Sequence, residues 1–328
     1  MRFLYIFLFK IFFSLNNSSF EVKEKTANKF VIDFKLEEYQ IIKEDGYTKL
    51  LVPGSGTKSL IGEPFLPSLS SFVELDKNAS YTISYEVISK NELSDQKIIP
   101  LQNFNKNIKE NDYVKNESIY SSQSMFPEKN LYVSKRQAMR GTEFVNIEVI
   151  PFSYNPLDQN LIVIEEIEIT IIKNTIPNTP ISRDYPRSKV FERLADSFLI
   201  NSSNSSRTDD YQRPSILYIC GGNISINSYF NQLKKWREKQ GYIVYVVSTS
   251  ETGNSTAAIK NYISDSMSWE TPPEFVTLVG DDGGTYNIDS YTENNSGYQG
   301  EGDHPYSQLD GGDLWPEVIL GRISVRSS

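Results

Sequence analysis

SILYICGG, residues 215–222, is where this sequence changes character. The run is continuously apolar and ends in a glycine pair. Such a run suits a parallel strand buried on both faces. Downstream, SYFNQLKKWREKQG carries Phe230, Leu233 and Trp236 at helical spacing, with Gly241 just past the last turn. Strand YIVYVVS, helix STAAIKNYISDSM, strand FVTLVGDD, a long polar loop and strand EVILGRISV complete the series. Alternating β and α units of these lengths predict an α/β domain on a parallel sheet, over residues 214–328.

Upstream the period is two. FVIDFKLEEYQII, KLLVPG and YTISYEVI alternate or are β-branched, with turn residues between them. In LIVIEEIEITII, Val163, Ile167, Ile169 and Ile171 share one face, while Glu166, Glu168 and Thr170 share the other. That is a half-buried antiparallel strand. With FVNIEVIPFSYNP before it and YNPLDQN as the turn, a hairpin is expected. GEPFLPSLSSFVEL, residues 62–75, has prolines that forbid helix and suit an edge or crossing segment. The sum predicts a β-sandwich-like domain over residues 20–178.

Between the two lies a stretch read as a linker, residues 179–213. It holds a proline-rich extended part, then SKVFERLADSFLI, whose Val190, Phe191, Leu194, Phe198 and Leu199 mark a short amphipathic helix. NSSNSSRTDDYQRP follows, polar and of low complexity, with Arg207 and Arg213 as accessible basic sites for processing.

The chain of 328 residues is long enough for two cores, and its net charge of −9 argues against a nucleic-acid partner. Arg2 followed by an apolar run from Phe3 to Leu15, broken by Lys10, has the length of a signal-peptide core and is too short to span a membrane. Residues 1–19 are therefore read as a signal peptide of a secreted or cell-surface bacterial protein, and no other run suits a bilayer span.

One cysteine and one histidine invite a Cys–His peptidase reading. Cys220, among Leu217, Tyr218 and Ile219 with nothing basic beside it, reads instead as a buried apolar side chain. His304, between Asp303 and Pro305, reads as a loop histidine. The glycine pair 221–222 lacks the spacing of a dinucleotide loop, and no P-loop or nucleophile elbow is present. GDDGG (280–284) and LDGGDLWPE (309–317) are rich in carboxylates and flexed by glycine. They suit either a hard cation such as calcium or an ordinary solvated acidic turn.

Taken together, PPEFVTLVGD (272–281), DHPYSQLDGGDLWPEVILGRIS (303–324) and KKWREKQGYIVYVV (234–247) resemble the start of the catalytic domain of the gingipain-like cysteine peptidases, family C25. RGTEFVNIEVIPFSYNPLDQNLIVIEEIEITI (140–171) and GEPFLPSLSSFVEL resemble the propeptide of that family. The resemblance covers most of residues 60–328. It implies a multidomain α and β chain: a propeptide, then the N-terminal part of a caspase/gingipain-like subdomain. It also implies a Cys/His acyl-enzyme mechanism acting on protein or peptide substrates, with structural calcium at Asp281, Asp310, Asp313 and Glu317. No catalytic residue is carried over, because neither Cys220 nor His304 stands at the family's catalytic positions. The catalytic pair is expected beyond Ser328, in a C-terminal half that would cover the bare edge of the last strand. A type IX secretion sortase of the same family and a non-catalytic calcium-stabilised surface protein are the alternative readings.

Overall fold

The computed structural model describes residues 19–103, 113–202, 210–295 and 298–325. Residues 1–18, most of the expected signal peptide, and Arg207 lie outside them.

Two five-stranded antiparallel sheets build the first unit. In one, the long strand Asn160–Pro177 pairs with Ala79–Leu93 along one edge, and with Lys29–Lys35 and Phe152–Asn155 along the other; Phe20–Lys25 is outermost. In the second, Thr142–Val149 pairs with Pro67–Leu75 on one side and with Leu131–Val133 and Gln137–Met139 on the other, and Gly56–Thr57 pairs with Pro67 and Ser68. The period-two pattern dictates the packing. Ile167, Ile169 and Ile171 with Ile32 and Phe34 face Leu69, Val73, Val145, Ile147 and Val149 across one core. This is the expected sandwich.

One local reading is corrected. The hairpin is confined to Phe152–Asn155 and the start of the long strand. The run before it, Thr142–Val149, belongs to the opposite sheet, because Pro151 cannot donate to a ladder and the chain crosses over there. Pro67–Leu75 fits the reading of an edge or crossing segment: it pairs along its length with Thr142–Val149 on one side, and with Gly56–Thr57 only at Pro67 and Ser68 on the other.

The second unit is a four-stranded parallel sheet in the spatial order Ile243–Ser248, Ser215–Cys220, Phe275–Val279, Ile319–Ile323. Helix Ser228–Lys239 covers the face of Ile216, Tyr218 and Cys220 through Phe230, and helix Thr256–Ser266 covers Leu217 and Ile219 through Ile259 and Ile263. Asn227 and Ser255 cap the two helices with side-chain oxygens. All six residues of Ser215–Cys220 are buried, as a central parallel strand requires. Trp236, expected inward, is 59% exposed, because Phe230 and Leu233 already fill the contact with the sheet. The polar loop contains a hairpin that its composition hid, Tyr291–Asn295 with Tyr298–Gly302.

Helix Lys189–Phe198 lies between the units. Phe191, Ala195 and Leu199 are its buried stripe, and Leu194, expected there, is exposed. The stripe packs on Met139 and Phe144 of the sandwich, with Phe72, Phe198, Trp315 and Ile319 around it. The two units are thus joined through a core rather than by a free tether.

Candidate functional site

The carboxyl ends of the parallel strands are where open α/β sheets bind ligands, at the point where strand order reverses. Here that point falls between Ser215–Cys220 and Phe275–Val279. The chain fills it itself. A Cβ on Gly221 or on Gly280 would lie 2.3 Å from the Tyr286 carbonyl oxygen. Tyr286 and Val279 pack with Cys220 in one cluster. The Cys220 side chain is fully buried, and burial pushes its thiol up to about 12. His304 sits on an exposed turn, its Nδ1 3.3 Å from Gln308 Nε2. Cys220 and His304 do not form a nucleophile–base pair.

The acidic residues separate into two places. Asp281 follows strand Phe275–Val279, whereas Asp310, Asp313 and Glu317 precede strand Ile319–Ile323, which runs parallel to it in the register Phe275↔Ile319. At about 3.3 Å per residue, the groups stand at opposite ends of the sheet, roughly 20 Å apart.

The second group is a docking loop. Asp310 accepts from Arg183 Nε at 2.8 Å, from the Arg183 backbone N–H at 3.0 Å and from Tyr185 Oη at 2.6 Å. Asp313 accepts from the N–H of Ala138 in the sandwich and from its own Trp315 N–H, each at 2.8 Å. Gly311 is required between them: its φ is +69°, and a Cβ there would meet Asp313 Oδ2 at 2.4 Å. Glu317 is fully buried and accepts from the N–H groups of Leu309 at 2.6 Å and Asp310 at 3.1 Å. Burial raises its carboxyl to about 7 against those two hydrogen bonds. Among the described residues, no three His, Cys, Asp or Glu side chains converge as a metal ion needs. These carboxylates, as arranged, do not fit calcium, because N–H and guanidinium donors occupy Asp310 and Asp313.

Across from this loop, Trp315, Phe72, Phe144 and Phe198 form a four-ring cluster with centroids 4.8–5.8 Å apart. Trp315 Nε1 donates to Gln137 Oε1 at 2.9 Å, so the half-buried indole keeps its polar partner. Glu143 of the sandwich is buried as well. Its Oε1 accepts from the N–H groups of Ile181 and Ser182, and its Oε2 from Arg136 Nη1 at 3.0 Å. It pins the proline-rich connection as that leaves the long strand.

Sequence reasoning missed Arg140, Glu143, Arg183 and Trp315 as the residues of this joint. The signal for Arg140 was present: Arg140–Gly141, between two apolar runs, is a two-residue hairpin turn with φ +46° and +85°. Arg213 is exposed and donates to the Gly241 carbonyl at 3.2 Å.

Comparison with known proteins places these two joined units. The profile of the C25 propeptide matches residues 24–207, and that of peptidase family C25 matches residues 209–328. Lys-gingipain of Porphyromonas gingivalis is 22% identical over 327 residues, covering 91% of this chain. Lys-gingipain HG66 of the same organism is 21% identical over the same share. The chain spans 18% of the length of either relative. Among solved structures, the complex of P. gingivalis RgpB pro- and mature domains matches at 18% identity and TM-score 0.47, over 56% of this chain and 98% of that one. The gingipain K structure described for its zymogenic latency matches at 16% identity and TM-score 0.40, over 48% of this chain and 93% of that one. With the propeptide profile alone spanning more than half of its length and the peptidase profile following directly, the chain belongs to the gingipain-like cysteine peptidases of family C25.

Proposed function

We propose that residues 1–328 are the N-terminal part of a secreted cysteine endopeptidase precursor, with the catalytic His and Cys supplied by chain outside these residues. The observation that carries this reading is the tandem match of propeptide and peptidase profiles, in order and adjoining at residues 207–209. In the complete enzyme a His-activated thiolate attacks the scissile carbonyl, and water releases the acyl-enzyme. The propeptide unit is held on the peptidase unit until the connection is cut at Arg207 or Arg213. The leader at residues 1–19 directs export.

The test is peptide hydrolysis by this chain and by the same chain extended along its downstream reading frame. The reading expects turnover only in the extended protein, abolished by replacing a cysteine of the extension. Turnover that survives replacement of every cysteine in the extension contradicts it.

A further inference from the structure

Arg140 sits on the sandwich, at the tip of the turn between strands Gln137–Met139 and Thr142–Val149, yet among the described residues every hydrogen bond its guanidinium makes is to the α/β unit. Nη1 donates to the carbonyls of Pro273 at 2.7 Å and Glu317 at 2.9 Å, and Nη2 donates to the Pro272 carbonyl at 3.1 Å. Pro272 and Pro273 lead into strand Phe275–Val279, and Glu317 leads into its neighbour Ile319–Ile323. One side chain therefore ties the entrances of two adjacent parallel strands.

The cost of losing it falls on one side. The Pro272 carbonyl also takes Ser215 Oγ and Gln212 Nε2, but among the described residues those of Pro273 and Glu317 take no donor besides Arg140. Among the described residues, Glu274 Oε2 and Glu317 Oε1 are buried carboxylate oxygens without a hydrogen-bond partner, and the charge of Arg140 acts on both side chains. Arg140 as a whole residue is 6% exposed, and the Phe191 and Tyr185 rings lie 5.1 and 5.4 Å from its guanidinium. An arginine at φ +46° stands where glycine or asparagine would be favoured, so the backbone alone does not call for it.

We propose that Arg140 is an interdomain staple through which the propeptide completes the α/β unit, holding strands Phe275–Val279 and Ile319–Ile323 in register. Release of the propeptide then obliges residues 272–274 and 307–318 to rearrange or to open to water. This role does not depend on catalysis.

Hydrogen exchange on the intact chain tests it, comparing wild type with Arg140→Met and Arg140→Lys. Loss of a buried donor to several acceptors should speed exchange in peptides covering 272–279 and 307–323 by about 100-fold in Arg140→Met. Peptides from Asn160–Pro177 and from helix Ser228–Lys239 should stay within about twofold of wild type. Arg140→Lys, which keeps the charge without the fork, should give an intermediate effect in the same peptides. If Arg140→Met does not fold, Arg140→Lys alone decides. Exchange unchanged in 307–323, or raised equally in both units, overturns the proposal.

Discussion

Trp315 stacks on Phe198 with ring centroids 4.8 Å apart and planes 19° from parallel. One ring comes from the loop that enters the last parallel strand, the other from the helix within the connection. With Phe72 and Phe144 of the sandwich packed edge-on against both, the two units share a core. Trp315→Ala removes the ring that the other three meet and should cost about 3–5 kcal/mol. Denaturant unfolding followed by a probe in each unit should show one transition in the wild type. In the variant the α/β probe should unfold first.

The halves of the fold were legible because their periods differ. Ile167, Ile169 and Ile171 alternate with charged or polar residues, and Ser215–Cys220 does not alternate at all; hydrophobic burial acts on that pattern locally. The joint was not legible. Asp310 and Asp313 read as cation ligands because their partners, Arg183 and Ala138, lie 127 and 175 residues away in sequence. Trp236 misled for the opposite reason: helical spacing marks a face without stating how much of it the sheet covers.

Asp313 provides a second test of the joint. Asp313→Ala leaves the partly buried N–H groups of Ala138 and Trp315 without this acceptor and should destabilise the chain by about 1–3 kcal/mol. Asp313→Asn keeps one acceptor oxygen and should cost about half as much. Thermal unfolding of the two variants side by side checks this.

Glu317 gives the chain a pH signature. Its carboxyl titrates at about 7 in the folded protein against an ordinary 4.5, so between those values the folded state holds a proton that the unfolded state has lost. The contribution is fully present below pH 4.5 and disappears as pH rises through 7, amounting to about 3 kcal/mol. Urea titrations in chelator between pH 4.5 and 8 should show this fall superimposed on other groups. Glu317→Gln should remove that component and leave the variant the more stable protein at pH 8.

Calcium can be judged in the same assay. Because Asp310 and Asp313 already accept from Arg183, Tyr185, Ala138 and Trp315, adding calcium to the joined chain should not raise its unfolding midpoint. A saturable rise that Asp313→Asn abolishes would show that the loop rearranges to bind the ion.

For processing, Arg213 is a hindered site. It is hydrogen-bonded to Gly241, and Pro214 and the buried strand Ser215–Cys220 follow it at once. A protease needs the residues around the cut locally unfolded, which would pull that strand from the sheet. Arg207→Ala should block trypsin-like separation of the units, and Arg213→Ala should leave it unchanged, as read by mass of the fragments.

The most direct measurement is peptide hydrolysis and thiol labelling by the purified 328-residue chain, wild type beside Cys220→Ala. Burial of the Cys220 thiol in one cluster with Tyr286, with His304 on an exposed turn, predicts no turnover in either protein and no labelling of native wild type at pH 7, with labelling restored on unfolding. Turnover by the wild type that Cys220→Ala abolishes would contradict this account.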